Sequence, residues 1–189
     1  SWGVSTRLMG ALIMAHSDDK GLVLPPKLAP EQVVIVPIFK NEEQLEKVRE
    51  KAEQIMTDLR DKGITVKFDD RDTHRPGFKF AEYEMKGYPV RIAIGPRDLE
   101  NNNFEVVRRD TQEKDFVPGN ELINHIPGLL DDIQENIFNQ AKQRSKNNTF
   151  SVDDYKSFKK QLNDNPGFIY AHWDGTEETE KKIKDEKKA

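Results

Sequence analysis

The chain has no cysteine among its 189 residues. That excludes disulfides, thiol catalysis and every thiolate zinc site. No apolar run approaches the ~20 residues that span a bilayer, and no secretory pattern opens the sequence. By elimination, a soluble, cytoplasmic protein without a membrane partner is expected. An excess of positive charge is missing too, since 30 Lys and Arg stand against 34 Asp and Glu, a net charge of −4. Binding nucleic acid by bulk charge is thereby disfavoured, whereas a small site reading a few bases is not. There is no Gly-rich phosphate loop, His-Glu zinc pair or Gly-x-Ser-x-Gly elbow. Even an initiating Met is absent, and Ser1 begins in mid-pattern, which reads as a fragment.

What is present suffices for a core: 35% of residues are hydrophobic beside 34% charged. Leu8 to Ala15 is apolar on every side, the mark of a buried helix. Gly21 to Leu24 reads as a strand running into a Pro-stiffened linker (Pro25, Pro26, Pro30), which puts a domain boundary near Ala29. Gln32 to Phe39 has the continuous apolar pattern of a strand covered on both faces. Asn41 then caps a helix with Gln44 in the capping-box position, and Leu45, Val48, Ala52, Ile55, Met56 and Leu59 follow at helical spacing up to Gly63. Ile64, Val66 and Phe68 alternate as the next strand, parallel to the first.

Pro76 opens a second helix that Gly87 stops, with Phe78, Ala81 and Met85 in one line and Lys79, Glu82 and Lys86 in another. Strands are expected at Val90–Ile94, Phe104–Arg109 and Asp115–Val117, and a long helix after Pro127-Gly128. Lys142 to Thr149 reads as a linker or frayed helix end. Ser151 is expected to cap a helix carrying Tyr155, Phe158 and Leu162, Phe168 to Trp173 to form a strand, and the charged end to be a solvated helix or disordered. The order β-α-β-α-β-β-β-α makes an α/β domain with a mixed sheet of about five strands and three helices, followed by a partial α+β unit.

The chemistry concentrates between Phe68 and Leu99, on the ends of two expected strands. Arg71, Arg75, Lys79 and Arg97 are donors suited to the O6 and N7 edge of guanine. Asp69, Asp72 and Glu82 accept from base amino groups, and Phe78 offers a face for a splayed base. A solvated, salt-bridged turn explains the same residues nearly as well. A cation site at Asp69, Asp70, Asp72 and His74 would compete with Arg71 and Arg75 for its carboxylates, so no metal is assigned. Arg7, beside the apolar helix, needs a carboxylate in a structural salt bridge or a phosphate ligand.

Ser1-Trp2-Gly3-Val4-Ser5-Thr6-Arg7 with Gly10-Ala11-Leu12-Ile13 resembles motif 3 of class II aminoacyl-tRNA synthetases. With GLVLPPKLAP after it, the form is similar to the prolyl-tRNA synthetase family. DDRDTHRPGFKFAEYEMKGYPVRIAIGPRDLE resembles that family's anticodon-binding domain, and FSVDDYKSFKKQL with GFIYAHWDGTEETEKKIK resembles the start of the extra C-terminal domain in its archaeal/eukaryotic-like branch. The resemblance covers essentially the whole chain.

The resemblance implies residues 1–28 as the tail of a catalytic domain, 29–144 as the anticodon-binding domain and 145–189 as an incomplete C-terminal domain. It implies Arg7 as a ligand of ATP phosphate, and Trp2, Gly3 and Ser5 as the wall of the aminoacylation pocket. Arg71, Asp72, Arg75, Phe78, Lys79, Glu82 and Arg97 would read the tRNA(Pro) anticodon. The parent would be a homodimer that uses ATP and Mg2+ to join L-proline to tRNA(Pro). Motifs 1 and 2 are absent, so the chain alone is expected to be inactive. Asp174 and Thr179 stand where zinc-bearing relatives place cysteines, so no zinc is expected. The rival reading is a non-enzymatic α/β interaction module binding a protein or a nucleotide.

Overall fold

A computed structural model of the chain describes residues 3–187. It divides into two compact units, with the division between Ala141 and Lys142. The first begins with α1 (Arg7–His16), which departs from expectation because none of its residues is buried. Leu8, Met9, Ile13 and Met14 are between 49% and 80% exposed. Its all-round apolar pattern is that of a covered helix, and the described residues supply no cover. Gly21 to Leu24 is also not a strand. Leu22 and Leu24 donate their amides to the Met85 and Gly87 carbonyls at 3.0 and 3.3 Å, around a helix end, so no ladder can form.

β1 (Val33–Pro37), α2 (Glu42–Asp61) and β2 (Val66–Phe68) form the expected parallel strand-helix-strand unit, Val33 opposite Val66. Asn41 caps α2 by accepting from the Gln44 amide at 2.9 Å. The reciprocal contact is displaced, since Gln44 Oε1 accepts from the Lys40 amide and not from that of Asn41. α3 (Pro76–Lys86) starts on Pro76 and ends at Gly87, whose φ of 76° suits glycine. β3 (Val90–Ile94) pairs parallel with β1. A short helix, α4 (Pro96–Asn101), joins the three expected ones. β4 (Asn103–Arg108) and β5 (Lys114–Pro118) complete an antiparallel edge, giving the sheet order β2-β1-β3-β4-β5.

α5 (Gly119–Asn147) does not wait for Pro127-Gly128, which lie inside it. Pro127 removes one backbone hydrogen bond. Leu122, Ile126, Leu130, Ile133 and Ile137 nevertheless hold one buried stripe across it, and burial outweighs the lost bond. The segment expected as a linker is mostly the end of this helix.

β1 is buried at all five positions, so the sheet is covered on both faces. On one face Val33, Ile35, Ile92 and Phe104 pack with Leu59 of α2 and Ile126 of α5. On the other, Val34 and Val36 meet Tyr83 of α3, with Phe80 and Tyr88 beside them. The face of α3 that turns inward is therefore Lys79 and Tyr83. The expected line of Phe78 and Met85 faces outward, at 54% and 59% exposure.

The second unit comprises β6 (Thr149–Val152), α6 (Tyr155–Asp164), β7 (Phe168–Ala171) and α7 (Glu177–Lys187). β6 and β7 pair in parallel. Ser151 lies within β6, and Asp154 caps α6 in its place, accepting from the Lys156 and Ser157 amides.

Candidate nucleic-acid interface

Because β1, β2 and β3 are parallel, the segments that follow them leave from one edge of the sheet. With β1 in the middle, the ends of β2 and β3 stand about 10 Å apart. α2 leaves β1 on one face and α3 reaches β3 over the other. This change of side at the carboxyl edge is where open α/β sheets take their ligands.

The loop after β2 is built around one buried carboxylate. Asp69, 3% exposed, continues the strand by donating its amide to the Ile35 carbonyl at 3.0 Å. Arg71 grips it bidentately, Nε to Oδ1 and Nη2 to Oδ2, both at 2.7 Å. The Tyr83 hydroxyl donates to Oδ2 at 2.9 Å, and Lys79 Nζ lies 3.6 Å from Oδ1. Lys79 also donates to the Asp69 carbonyl at 2.9 Å and to the Arg71 carbonyl. Burial alone would push the Asp69 carboxyl up, but the hydrogen bonds of Arg71 and Tyr83 outweigh it and hold the group well below the usual carboxylate range. Burial and that same bond push the Tyr83 hydroxyl up. Arg71 reaches on to Glu82 Oε2 at 2.7 Å, and Lys86 meets Oε1 at 2.6 Å. Lys86 and then Arg71 hold the Glu82 carboxyl down.

The cations therefore fall into two groups. Arg71, Arg108 and Arg109 are committed to carboxylates, Arg108 to Asp110 and Asp132 and Arg109 to Asp18. Arg75 and Arg97, on the carboxyl edge, make no ion pair among the described residues, and both are exposed. Arg71 Nη1 has no hydrogen-bond partner among the described residues. Arg91, on β3, is intermediate. It is 6% exposed, lies 3.7 Å over the Phe80 ring, and gives Nη1 to Glu105 at 3.1 Å. Its buried Nε has no hydrogen-bond partner among the described residues. Burial lowers its pKa against the pull of Glu105. Such a guanidinium needs an acceptor. The signal in the sequence was an arginine on the strand face that α3 covers.

The structure brings Arg71, Asp72, Arg75, Phe78, Lys79 and Glu82 together on the β2–α3 connection and sets Arg97 on the same edge, at the start of α4. Lys79 is not presented to solvent: its ammonium closes the loop from within. Asp72 is exposed and without an ion pair among the described residues. The cation set considered at Asp69, Asp70, Asp72 and His74 does not converge, because Asp69 is gripped by Arg71 and Asp70 meets Arg49 at 3.2 Å. Among the described residues no group of three or more His, Asp or Glu could hold a metal ion. Gly3, Ser5 and Arg7 are exposed at the N-terminal segment, and Trp2 lies outside the described residues. No described helix is long and apolar enough to cross a membrane.

The family model described as "Anticodon binding domain" matches residues 32–129, from before β1 into α5. The chain belongs to the anticodon binding domain family. Every residue of the β2–α3 cluster, with Arg91 and Arg97, lies inside the matched segment of this anticodon binding domain. The proline--tRNA ligase of Porphyromonas gingivalis is 62% identical over 189 residues, all of this chain and 38% of that protein. That of Cytophaga hutchinsonii is 61% identical over the same share. A crystal structure of prolyl-tRNA synthetase from Cryptosporidium parvum complexed with L-proline and AMP superposes with a TM-score of 0.88 at 40% identity, over 98% of this chain and 38% of that one. The chain thus spans 38% of the length of these relatives.

Proposed function

We propose that this chain is the anticodon-reading part of a proline--tRNA ligase. The whole enzyme activates L-proline with ATP and Mg2+ and passes it to tRNA(Pro), working as a cytoplasmic homodimer. The observation that carries the reading is the state of the cations at the carboxyl edge. Arg75 and Arg97 make no ion pair among the described residues, where most neighbouring arginines are paired. Free planar donors suit guanine edges and phosphates. Identity of 62% running through all 189 residues supports extending the reading to the flanks. Residues 1–28 are then the end of the catalytic domain, 29–144 the anticodon-binding domain and 145–189 part of a C-terminal domain. Arg7, exposed and without an ion pair among the described residues, fits an ATP phosphate, with Trp2, Gly3 and Ser5 walling the aminoacylation pocket. The C-terminal part is zinc-free for want of any thiolate.

Filter binding of a proline anticodon stem-loop, with its guanines swapped one at a time, tests this. Each swap should weaken binding by about 1–3 kcal/mol. Equal binding of every swap would favour the rival, a non-enzymatic interaction module. The chain alone should show no proline-dependent ATP–pyrophosphate exchange, and measurable exchange would contradict its assignment to a part of the enzyme.

A further inference from the structure

The stretch between α1 and β1 is tied down more firmly than a connection requires. It opens with a tight turn, in which Asp18 and Gly21 exchange backbone hydrogen bonds at 2.9 and 3.1 Å. From there the chain runs as a strap over the last turn of α3. Leu22 and Leu24 donate to the Met85 and Gly87 carbonyls, and Lys20 Nζ donates to Gln112 Oε1 on the β4–β5 turn. Gly21 lies so close to α3 that a Cβ there would stand 2.5 Å from the Met85 Cα. One guanidinium joins these parts. Arg109, 4% exposed, gives Nη1 and Nη2 to the two Asp18 carboxylate oxygens, both at 2.7 Å. Its Nε donates to the Glu84 carbonyl at 2.8 Å, and its amide to the Pro89 carbonyl at 2.9 Å. A bidentate fork onto a carboxylate fixes direction as well as distance.

The direction of α1 depends on this strap. α1 buries none of its residues, so packing contributes little to its orientation. The Ser17 amide donates to the Ile13 carbonyl at 2.9 Å, which makes helix and turn continuous. On the other side of the strap stands α3, 11 residues and about 16 Å long. Its first turn follows the Arg71 to Arg75 loop, and its last turn holds the strap. We propose that Asp18 and Arg109 are positioning residues, which hold the catalytic tail at a fixed angle to the anticodon edge through the strap and α3. They act through the strap and not on a substrate. The proposal rests on the reading of residues 1–28 as the end of a catalytic domain, and it concerns one step of that enzyme. Activation of proline uses the catalytic end alone, whereas transfer to tRNA needs both ends of one tRNA held at once. The clasp therefore matters to the second step, where a displacement of an ångström far from the chemistry can cost about a hundredfold in rate.

A chain without cysteine accepts spin labels at chosen sites alone. In the 189-residue chain, labels on Met9→Cys of α1 and Glu53→Cys of α2, both exposed, should report one narrow distance distribution. Asp18→Ala should broaden it, and so should Gly21→Ala, which forces the strap away without touching the carboxylate. Stem-loop affinity should be unchanged in both. In the whole ligase the same two variants should keep proline-dependent ATP–pyrophosphate exchange. They should lose roughly tenfold to a hundredfold in kcat for charging tRNA(Pro), with KM for the tRNA unchanged. Arg109→Lys, which keeps the charge but not the fork, should do the same. An unaltered distribution, an unaltered kcat, or a fall in exchange equal to the fall in charging would each overturn the proposal. Equal binding of every guanine swap by the native chain would instead refute the anticodon reading, while the label distances would still decide whether the clasp holds α1.

Discussion

Asp69 is the residue on which the interface depends, although its carboxylate is turned away from any ligand. Asp69→Asn leaves Arg71 and Lys79 facing a neutral amide at a site with a 1% exposed side chain. Breaking a buried ion pair from one side costs about 3–5 kcal/mol, and urea denaturation should show a loss of that order. Arg75→Ala and Arg97→Ala should do the opposite, leaving stability alone and weakening stem-loop binding by about 1–3 kcal/mol each if they meet base edges. Lys79→Met should behave like the Asp69 variant, because that ammonium is spent on two carbonyls. These contrasts were hidden in the sequence. It shows a dense run of arginine and aspartate, but not that Arg71 is held by Glu82, 11 positions away, as well as by Asp69, nor that Asp70 meets Arg49, 21 positions away. Arg91 carries no such mark in the sequence, because its ring partner, Phe80, lies on another element.

At the scale of the elements, hydrophobic periodicity revealed the parallel strand-helix-strand core, since β1 is apolar without interruption and α2 repeats at helical spacing. It misled where tertiary contacts decide. α1 looks buried and is exposed, α5 continues through Pro127 because its buried stripe does, and α3 turns Lys79 and Tyr83 inward because Asp69 awaits them. The junction of α3 with the preceding chain gives a sharp test. Gly87 has φ of 76°, and a Cβ there would stand 2.6 Å from the Leu22 carbonyl oxygen. Gly87→Ala should therefore cost more than the ~1 kcal/mol usual for misplacing alanine in a left-handed cap. Hydrogen exchange at the Leu24 amide, which donates to Gly87, should quicken.

For the whole molecule, charge sets two expectations. The Asp18 carboxyl is lowered to about 2 by the hydrogen bond from Arg109, against the opposing effect of burial, and Asp69 lies lower still. Both folded values lie below the unfolded value of about 3.9. The stability they supply is thus complete above roughly pH 4 and lost as pH falls through the folded values. The urea midpoint should drop steeply between pH 4 and pH 2, and less so in Asp69→Asn. With a net charge of −4 and only a few uncommitted cations at the carboxyl edge, RNA binding should depend weakly on salt, with a logarithmic slope of roughly −2. The central claim, that RNA meets the carboxyl edge and the outer side of α3, is tested most directly by nuclear magnetic resonance. A proline anticodon stem-loop titrated into the labelled chain should shift the amides of Arg71 to Phe78 and of Arg97. Silence at those positions, with shifts confined to β6 and β7, would contradict it.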